Sequence, residues 1–142
     1  MNLKLHTAIA LLLMLVSLGS RSEIVVVTSA KNDVESLTRE DVINIFMGRY
    51  RTFANGMPAY PLDREMDSPE RHQFYLKLLN KRPEEINAYW VRLRFSGRTD
   101  PPRTLFGREA YLHELAKTPG AIGYAERSEL PRELRILLSL PE

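Results

Sequence analysis

Arginine and serine side chains flank a predicted helix start within residues 61–79, PLDREMDSPERHQFYLKLL. Arg64 follows an apolar, strand-like stretch, and Ser68 precedes a helical pattern. The first turn of a helix presents unpaired backbone N–H groups and a partial positive charge, so it attracts oxyanions. A guanidinium just before the cap could add a bidentate fork, and a serine hydroxyl could add a donor. These residue types predict a binding site for a small oxyanion, which we call the Arg64–Ser68 seat.

The same residues are also typical of a helix start that binds nothing. Ser68-Pro69-Glu70 combines a favoured N-cap, proline at the first helical position and an acid in the first turn. The Glu70 carboxylate would itself satisfy the helix dipole and repel phosphate, and Pro69 has no N–H to offer. Arg64 could then pair with Glu70 or with an aspartate on either side of it. Local sequence alone leaves both interpretations open.

Motifs for catalysis or metal binding are missing from the sequence. It contains no cysteine, no GxSxG, no phosphate-binding P-loop and no HExxH. Glu109 and His113 would share a helix face, but two ligands do not make a zinc site. The acids Asp63, Glu65 and Asp67 are interpreted as ordinary surface charge and not as a catalytic carboxylate pair. We therefore predict a protein that is not an enzyme, with no cofactor and no metal.

The N-terminal segment, residues 1–22, has the pattern of a secretory signal peptide. Lys4 precedes an apolar run, and small residues follow it, so cleavage is expected after Gly19 or Ser22. The expected location is the periplasm, with no membrane span after cleavage. Removing Lys4 and Arg21 from the 20 basic residues leaves 18, equal to the 18 acidic ones. A neutral mature chain argues against a nucleic-acid partner.

The rest of the chain, residues 23–142, is predicted to form one α/β domain with a small sheet. Thr38 and Asp41 resemble a capping box at the start of the first helix, and Gly48 is placed to end it. The remaining elements follow from apolar spacing, caps and breakers. In order, we predict strands at 23–29 and 58–62, helices beginning at 69 and 83, a proline-rich loop at 98–104, a helix at 107–117, a strand at 121–126 and a last strand or packed tail at 134–140.

Several segments occur in an order that resembles one known family. They are LTREDVINIFMGRYRTFANGMPAYPLDRE, the helix containing Phe74, AYWVRLRFSGRTDPP and TPGAIGYAE. Together they are similar to the short exported relatives of phosphate-transport solute-binding proteins, a periplasmic-binding-protein-like family, over roughly residues 24–126. The resemblance implies a single small lobe with a short mixed sheet flanked by helices, similar to one lobe of a type II periplasmic binding protein.

The resemblance also implies which residues would contact a ligand. In the two-lobed members, an arginine at a strand end and a Ser-Gly-Thr at a helix start bind phosphate oxygens. By position, Arg64 matches that arginine and Ser68 matches that serine. Pro69 stands in place of the glycine and Glu70 in place of the threonine, so half of the lobe's anion contacts are changed.

The expected function is that of an exported, non-catalytic solute-binding-type protein, linked by resemblance to phosphate or another oxyanion. Arg64 and Ser68 are the expected contact residues. Thr28 and Ser29 are secondary candidates, because hydroxyls at the end of the first strand could face the same site. One lobe leaves the anion open to water, so tight binding would require a homodimer or an envelope protein partner. The alternative function is an envelope protein-interaction scaffold, a single lobe that has lost its ligand.

Overall fold

A five-stranded mixed sheet with four α-helices makes up the computed structural model, which describes residues 23–141. The predicted signal peptide and its cleavage sites lie outside the described residues. In chain order the elements are β1 (Ile24–Ser29), α1 (Arg39–Phe46), β2 (Tyr60–Asp63), α2 (Pro69–Leu79), α3 (Pro83–Ser96), β3 (Arg103–Thr104), α4 (Arg108–Lys117), β4 (Ala121–Glu126), a 3-10 turn (Arg127–Glu129) and β5 (Leu134–Leu140). The α/β class and the short mixed sheet are confirmed.

Strand directions decide which residues meet at each edge of the sheet. The spatial order is β3-β2-β4-β1-β5. β2 runs parallel to β3 and β4, whereas β1 runs antiparallel to β4 and β5. Tyr60 of β2 pairs with Ala121, and Ile24 of β1 pairs with Glu126. The carboxyl ends of β2 and β4 therefore lie where strands β2, β4 and β1 have one set of ends, and the carboxyl end of β1 lies at the opposite set of strand ends.

Both faces of the sheet are covered, as the continuous apolar run in β1 predicted. Successive side chains of a strand point to opposite faces. Val26 accordingly packs with α1, α2 and α3, and Val27 packs on the opposite face with Tyr111 and Leu115 of α4. Within the larger cluster, the rings of Phe74 and Tyr124 stack with centroids 4.0 Å apart. The sheet therefore separates α1, α2 and α3 on one face from α4 on the other.

The helix starts follow the predicted caps. At α1, Thr38 Oγ1 accepts from Asp41 N–H at 3.1 Å, and an Asp41 carboxylate oxygen accepts from Thr38 N–H at 3.0 Å, which completes the capping box. Gly48 follows that helix with φ +79°, a conformation that glycine adopts without strain. At α2, Ser68 is the N-cap and Pro69 the first helical residue.

Two boundaries differ from the sequence-based expectation. β2 begins two residues later than expected and includes Asp63, because Pro58 makes only an isolated bridge to Thr52. The segment expected to be wholly loop contains the two-residue strand β3, which pairs with the end of β2. Of the two forms expected for residues 134–140, the structure has the strand, at the edge of the sheet beside β1. Within residues 23–141, no helix is both long and apolar enough to cross a lipid bilayer.

Candidate oxyanion site

Arg64 lies directly after β2 with its side chain largely buried. Its Nε is 3.1 Å from Glu65 Oε2, and its Nη2 is 3.3 Å from Glu65 Oε1, so the guanidinium forms a fork with the next residue. Its Cζ lies 5.3 Å from the centre of the Tyr111 ring in the first turn of α4. This arginine is held against the protein on two sides, and its remaining amino group, Nη1, faces the start of α2.

The hydroxyl of Ser68 makes two hydrogen bonds at the start of α2. Its Oγ accepts from the backbone N–H of Arg71 at 3.3 Å, as expected of an N-cap. The same hydroxyl donates to Glu70 Oε2 at 2.7 Å. That carboxylate oxygen also lies 4.0 Å from Arg64 Nη1. Arg64 and Ser68 are thus brought together, as predicted, and the oxygen on which they converge belongs to Glu70.

The charges in the Arg64–Ser68 seat are mutually stabilised. Burial alone would raise the pKa of Glu70, but hydrogen bonds from Ser68 and from its own backbone N–H, with the charge of Arg64, together lower it. Burial alone would lower the pKa of Arg64, but the carboxylates of Glu65 and Glu70 outweigh burial and raise it. The hydrogen bond from Arg64 lowers the pKa of Glu65. All three groups are therefore ionised at neutral pH.

Asp63 is the buried centre of the region, so its interpretation as surface charge was wrong. It is 4% exposed and ends β2. Its Oδ1 accepts from the backbone N–H of Arg64 at 2.9 Å and from the Tyr124 hydroxyl. Its Oδ2 accepts from Arg71 Nε at 3.2 Å and from the Tyr75 hydroxyl at 2.8 Å. Four donors on one carboxylate fix the end of β2 to α2 and β4.

The buried tyrosines around Asp63 are donors that stay protonated. Burial is the largest cause that raises the pKa of Tyr75 and of Tyr124, and the nearby charge of Asp63 raises both further. Burial also raises the pKa of Tyr111, whose hydroxyl donates to the backbone oxygen of Tyr124 at 2.8 Å. This network was missed from the sequence. The available signal was an acid at a strand end, followed by tyrosines inside apolar segments.

Thr28 and Ser29 lie at the opposite end of the strands from Arg64, because β1 runs antiparallel to β4. Thr28 Oγ1 donates to the backbone oxygen of Ala121 at 2.6 Å. Ser29 Oγ donates to the backbone oxygen of Ala116 at 2.9 Å, near the end of α4, whereas Arg64 contacts the first turn of that helix. The structure does not bring these two hydroxyls together with Arg64 and Ser68. Both instead tie β1 to its neighbours.

Residues 23–141 offer no cluster of metal ligands. In that part of the chain, no group of three or more His, Asp or Glu side chains is arranged to hold an ion. The arrangement around Arg64 is instead one of paired guanidinium and carboxylate groups with a hydroxyl donor. Chemically, such a set can hold a negatively charged oxygen at a helix start.

Comparison with models of known protein families gives no match, and comparison with curated protein sequences gives none either. Comparison with solved structures gives clear matches in fold. A phosphate ABC-type transport receptor from Vibrio cholerae superposes with a TM-score of 0.63 at 13% identity. A putative phosphate ABC transporter substrate-binding protein from Clostridium perfringens, solved with bound phosphate, gives 0.65 at 18%. PstS from Borrelia burgdorferi gives 0.57 at 15%.

Each match covers 82% of this chain but only 44–46% of the other protein. The chain therefore spans less than half the length of the proteins that it resembles. At such identities the likeness concerns the fold. The chain has the fold of one lobe of phosphate substrate-binding proteins, as the resemblance in sequence implied.

Proposed function

We propose that this protein is an exported, non-catalytic solute-binding-type protein that takes a small oxyanion, with phosphate as the first candidate, at the Arg64–Ser68 seat. One observation carries the proposal. The Arg64 guanidinium and the Ser68 hydroxyl converge at the start of α2 on one carboxylate oxygen of Glu70. A place that holds a carboxylate oxygen with a hydroxyl, a helix start and a nearby guanidinium has the chemistry that a phosphate oxygen needs.

Glu70 acts as a built-in competitor in this proposal. A bound phosphate would have to displace the Glu70 carboxylate from Ser68 or tolerate its charge, and like charges at this distance repel. Pro69 offers no N–H, which removes one of the backbone donors of the helix start. We therefore expect phosphate to bind in the millimolar range. A second copy of the chain or an envelope protein that covers the seat would strengthen binding by excluding water.

The non-catalytic assignment and the location belong to the same proposal. Two of the solved structures that share the fold are a transport receptor and a putative substrate-binding protein. Ser68 Oγ is engaged by Glu70 and the helix backbone, which suits a binding donor. The pattern of residues 1–22 supports export, and the periplasm is the proposed compartment.

A thermal melt of phosphate-free protein tests the proposal. Phosphate, sulfate and chloride are compared at matched ionic strength with the wild type, Arg64→Ala and the control Arg92→Ala, whose exposed arginine lies on α3. A ligand at four times its Kd adds about 1 kcal/mol, which raises the melting temperature by about 4 °C. We expect a phosphate-specific rise in the wild type and the control, and none in Arg64→Ala. No rise above the chloride control at tens of millimolar phosphate would refute ligand binding at the seat.

The second candidate function is an envelope protein-interaction scaffold, and a specific observation favours it. Phe95 is 91% exposed at the end of α3, and Phe106 is 76% exposed before α4. Exposed aromatic side chains are enriched in protein interfaces. Sedimentation velocity tests for a homodimer, and cross-linking in envelope preparations tests for another partner. The scaffold predicts that Phe95→Ser removes the complex and that phosphate does not change it. A monomer without specific cross-links would contradict this function.

A further inference from the structure

A cavity of about 290 Å³ lies beside Asp63 and Arg64 at the end of β2. The end of β2, α2, α3 and the proline-rich segment before β3 form its walls. Its polar wall residues include Arg71, Asn87 and Arg94, and its apolar wall residues include Trp90 and Val91. We call it the Arg71 cavity. Its volume is at the lower end of the range for ligand sites in proteins.

Arg71 carries hydrogen-bond capacity that the protein does not use. Its side chain is more than nine-tenths buried. Nε donates to Asp63, but Nη2 has only a long contact of 3.5 Å with Asn87 Oδ1. Nη1 is buried and has no acceptor within residues 23–141. Asp63 already accepts from four donors. A guanidinium buried in this way gains strongly from an added oxyanion, because an unmade charged hydrogen bond is costly.

Other wall residues complete a site with one charged end and one apolar side. Arg94 projects from α3 into the same wall and makes no ion pair within the described part of the chain. Trp90 is 6% exposed, and its Nε1 is a second buried donor with no acceptor among residues 23–141. Pro101 and Pro102 add apolar surface beside the indole. The only carboxylate in the wall is that of Asp63, so an anion entering the cavity meets net positive charge.

Asn87 lines the cavity together with Arg71 and contacts it. Its two contacts are weak: Oδ1 lies 3.5 Å from Arg71 Nη2, and Nδ2 lies 3.4 Å from Met66 Sδ. Asn87 is only partly buried, and Met66 is 65% exposed. Because both contacts are weak, a ligand oxygen can replace the Asn87 amide at Arg71 Nη2 at low cost.

We propose that the Arg71 cavity binds a small organic carboxylate with a short apolar body. The carboxylate pairs with Arg71 and Arg94, and the apolar body packs on Trp90, Val91 and the two prolines. A carboxylate fits because guanidinium groups bind it in a planar fork. Arg64 also lines the cavity, but its Nε and Nη2 are already paired with Glu65, so the carboxylate is assigned to Arg71 and Arg94. The inference does not require phosphate to bind at the Arg64–Ser68 seat.

Trp90 is the only tryptophan of the chain and lies in the cavity wall, so it reports on occupancy directly. The test is a fluorescence titration of the full protein with butyrate, supported by the indole N–H resonance of Trp90 in an NMR spectrum. Butyramide is the uncharged control, sodium chloride controls for ionic strength, and inorganic phosphate tests an oxyanion without an apolar body. We expect a saturable change with butyrate and none with the three comparison solutes.

Variants identify the site. We expect Arg94→Ala to lower the affinity for butyrate by about tenfold, because it removes a charged hydrogen bond. The matched control Arg92→Ala, on the same helix but outside the cavity, should keep the wild-type affinity. Asn87→Asp should abolish binding, because it places a carboxylate beside Arg71, and Arg64–Ser68 seat binding of phosphate should survive it. The proposal is overturned if butyrate gives no saturable change, if butyramide or phosphate gives the same change, or if the two arginine variants behave alike.

Discussion

The Arg64–Ser68 seat and the Arg71 cavity both adjoin Asp63, and they differ in how fully carboxylates satisfy the arginine. In the seat, Arg64 pairs with Glu65 and lies near Glu70. In the cavity, Arg71 Nε donates to Asp63, and Arg71 Cζ lies 5.1 Å from the centre of the Tyr75 ring. Its Nη2 has only a 3.5 Å contact with Asn87, and its Nη1 has no acceptor within residues 23–141. We therefore expect an added anion to bind Arg71 more strongly than Arg64.

The difference shows that the presence of an arginine does not by itself predict an anion site. What matters is whether carboxylates satisfy all of its donors, and Asp63 accepts only from the Nε of Arg71. Glu70 lies two residues after Ser68, and its carboxylate accepts a hydrogen bond from the Ser68 hydroxyl in the first turn of α2. The cavity is built from α2 and α3, and the distances between its groups follow from helix packing. The substitution with the largest expected effect is at Asp63, which accepts hydrogen bonds from both Arg64 and Arg71.

Asp63→Asn should have the largest effect, because it removes the only countercharge of buried Arg71 and replaces an acceptor of four donors. We expect a loss of roughly 3–5 kcal/mol in the free energy of unfolding, the usual cost of leaving one member of a buried ion pair alone. Urea denaturation measures it. Asp67→Asn, at an exposed position nearby, is the matched control and should change stability by less than about 0.5 kcal/mol. Equal effects of the two changes would mean that Asp63 is not the anchor.

Ser68→Ala should have the next largest effect on stability. It removes the N-cap acceptor of α2 and the donor to Glu70, and loss of an N-cap costs about 1 kcal/mol. Thermal or urea denaturation measures the loss. Ser36→Ala, in an exposed segment before α1, is the control and should be nearly neutral. If Ser68→Ala were as neutral as Ser36→Ala, the hydroxyl would not organise the seat.

Asn87→Asp should stabilise the protein, since it gives the outer nitrogens of Arg71 a carboxylate acceptor in addition to the Asp63 carboxylate on Nε. A partly buried ion pair with Arg71 is expected to add about 0.5–1 kcal/mol to the free energy of unfolding. Ala88→Asp, in the same turn of α3 and exposed to solvent, controls for the effect of a new charge on the helix. A gain that is no greater than in Ala88→Asp would contradict the view that the outer nitrogens of Arg71 are poorly satisfied.

The pH dependence of stability should show the smallest effect. The pKa of Glu70 in the folded protein is lowered from its ordinary value of 4.5. Its contribution to stability is therefore present at neutral pH and is lost as pH falls below about 4.5 through the lowered value. Glu70→Gln should reduce the loss of stability between pH 5 and pH 3, measured by denaturation at each pH. Glu84→Gln, an exposed acid of α3, is the control. Parallel curves for wild type and Glu70→Gln would contradict the ion pair.

Local signals predicted the fold well because caps and breakers act within a few residues. The capping box of α1 and the serine cap of α2 are confirmed at the predicted residues. The convergence of Arg64 and Ser68 was also predictable, since both flank one short turn. Strand direction was not. Thr28 and Ser29 lie at the opposite end of the strands from Arg64 because β1 pairs antiparallel with β4, and no local pattern specifies that pairing.

The residues that sequence reasoning missed depend on long-range packing. Asp63 resembles a surface acid in the run LDRE, and only its contacts with Tyr75, Tyr124 and Arg71 show that it is buried. Arg71 likewise resembles a solvated helix residue. Its burial follows from the packing of α2 against α3 and the end of β2. The spacing of polar residues along the chain does not specify which of them meet in such contacts.

Calorimetric titration of phosphate into the wild type and Glu70→Gln, measured side by side, decides whether the Arg64–Ser68 seat is an oxyanion site occupied by Glu70. We expect removal of this charge to strengthen phosphate binding by about tenfold or more, and addition of Arg64→Ala to Glu70→Gln to abolish the gain. Equal phosphate binding by the two proteins, or none by either, would contradict this expectation.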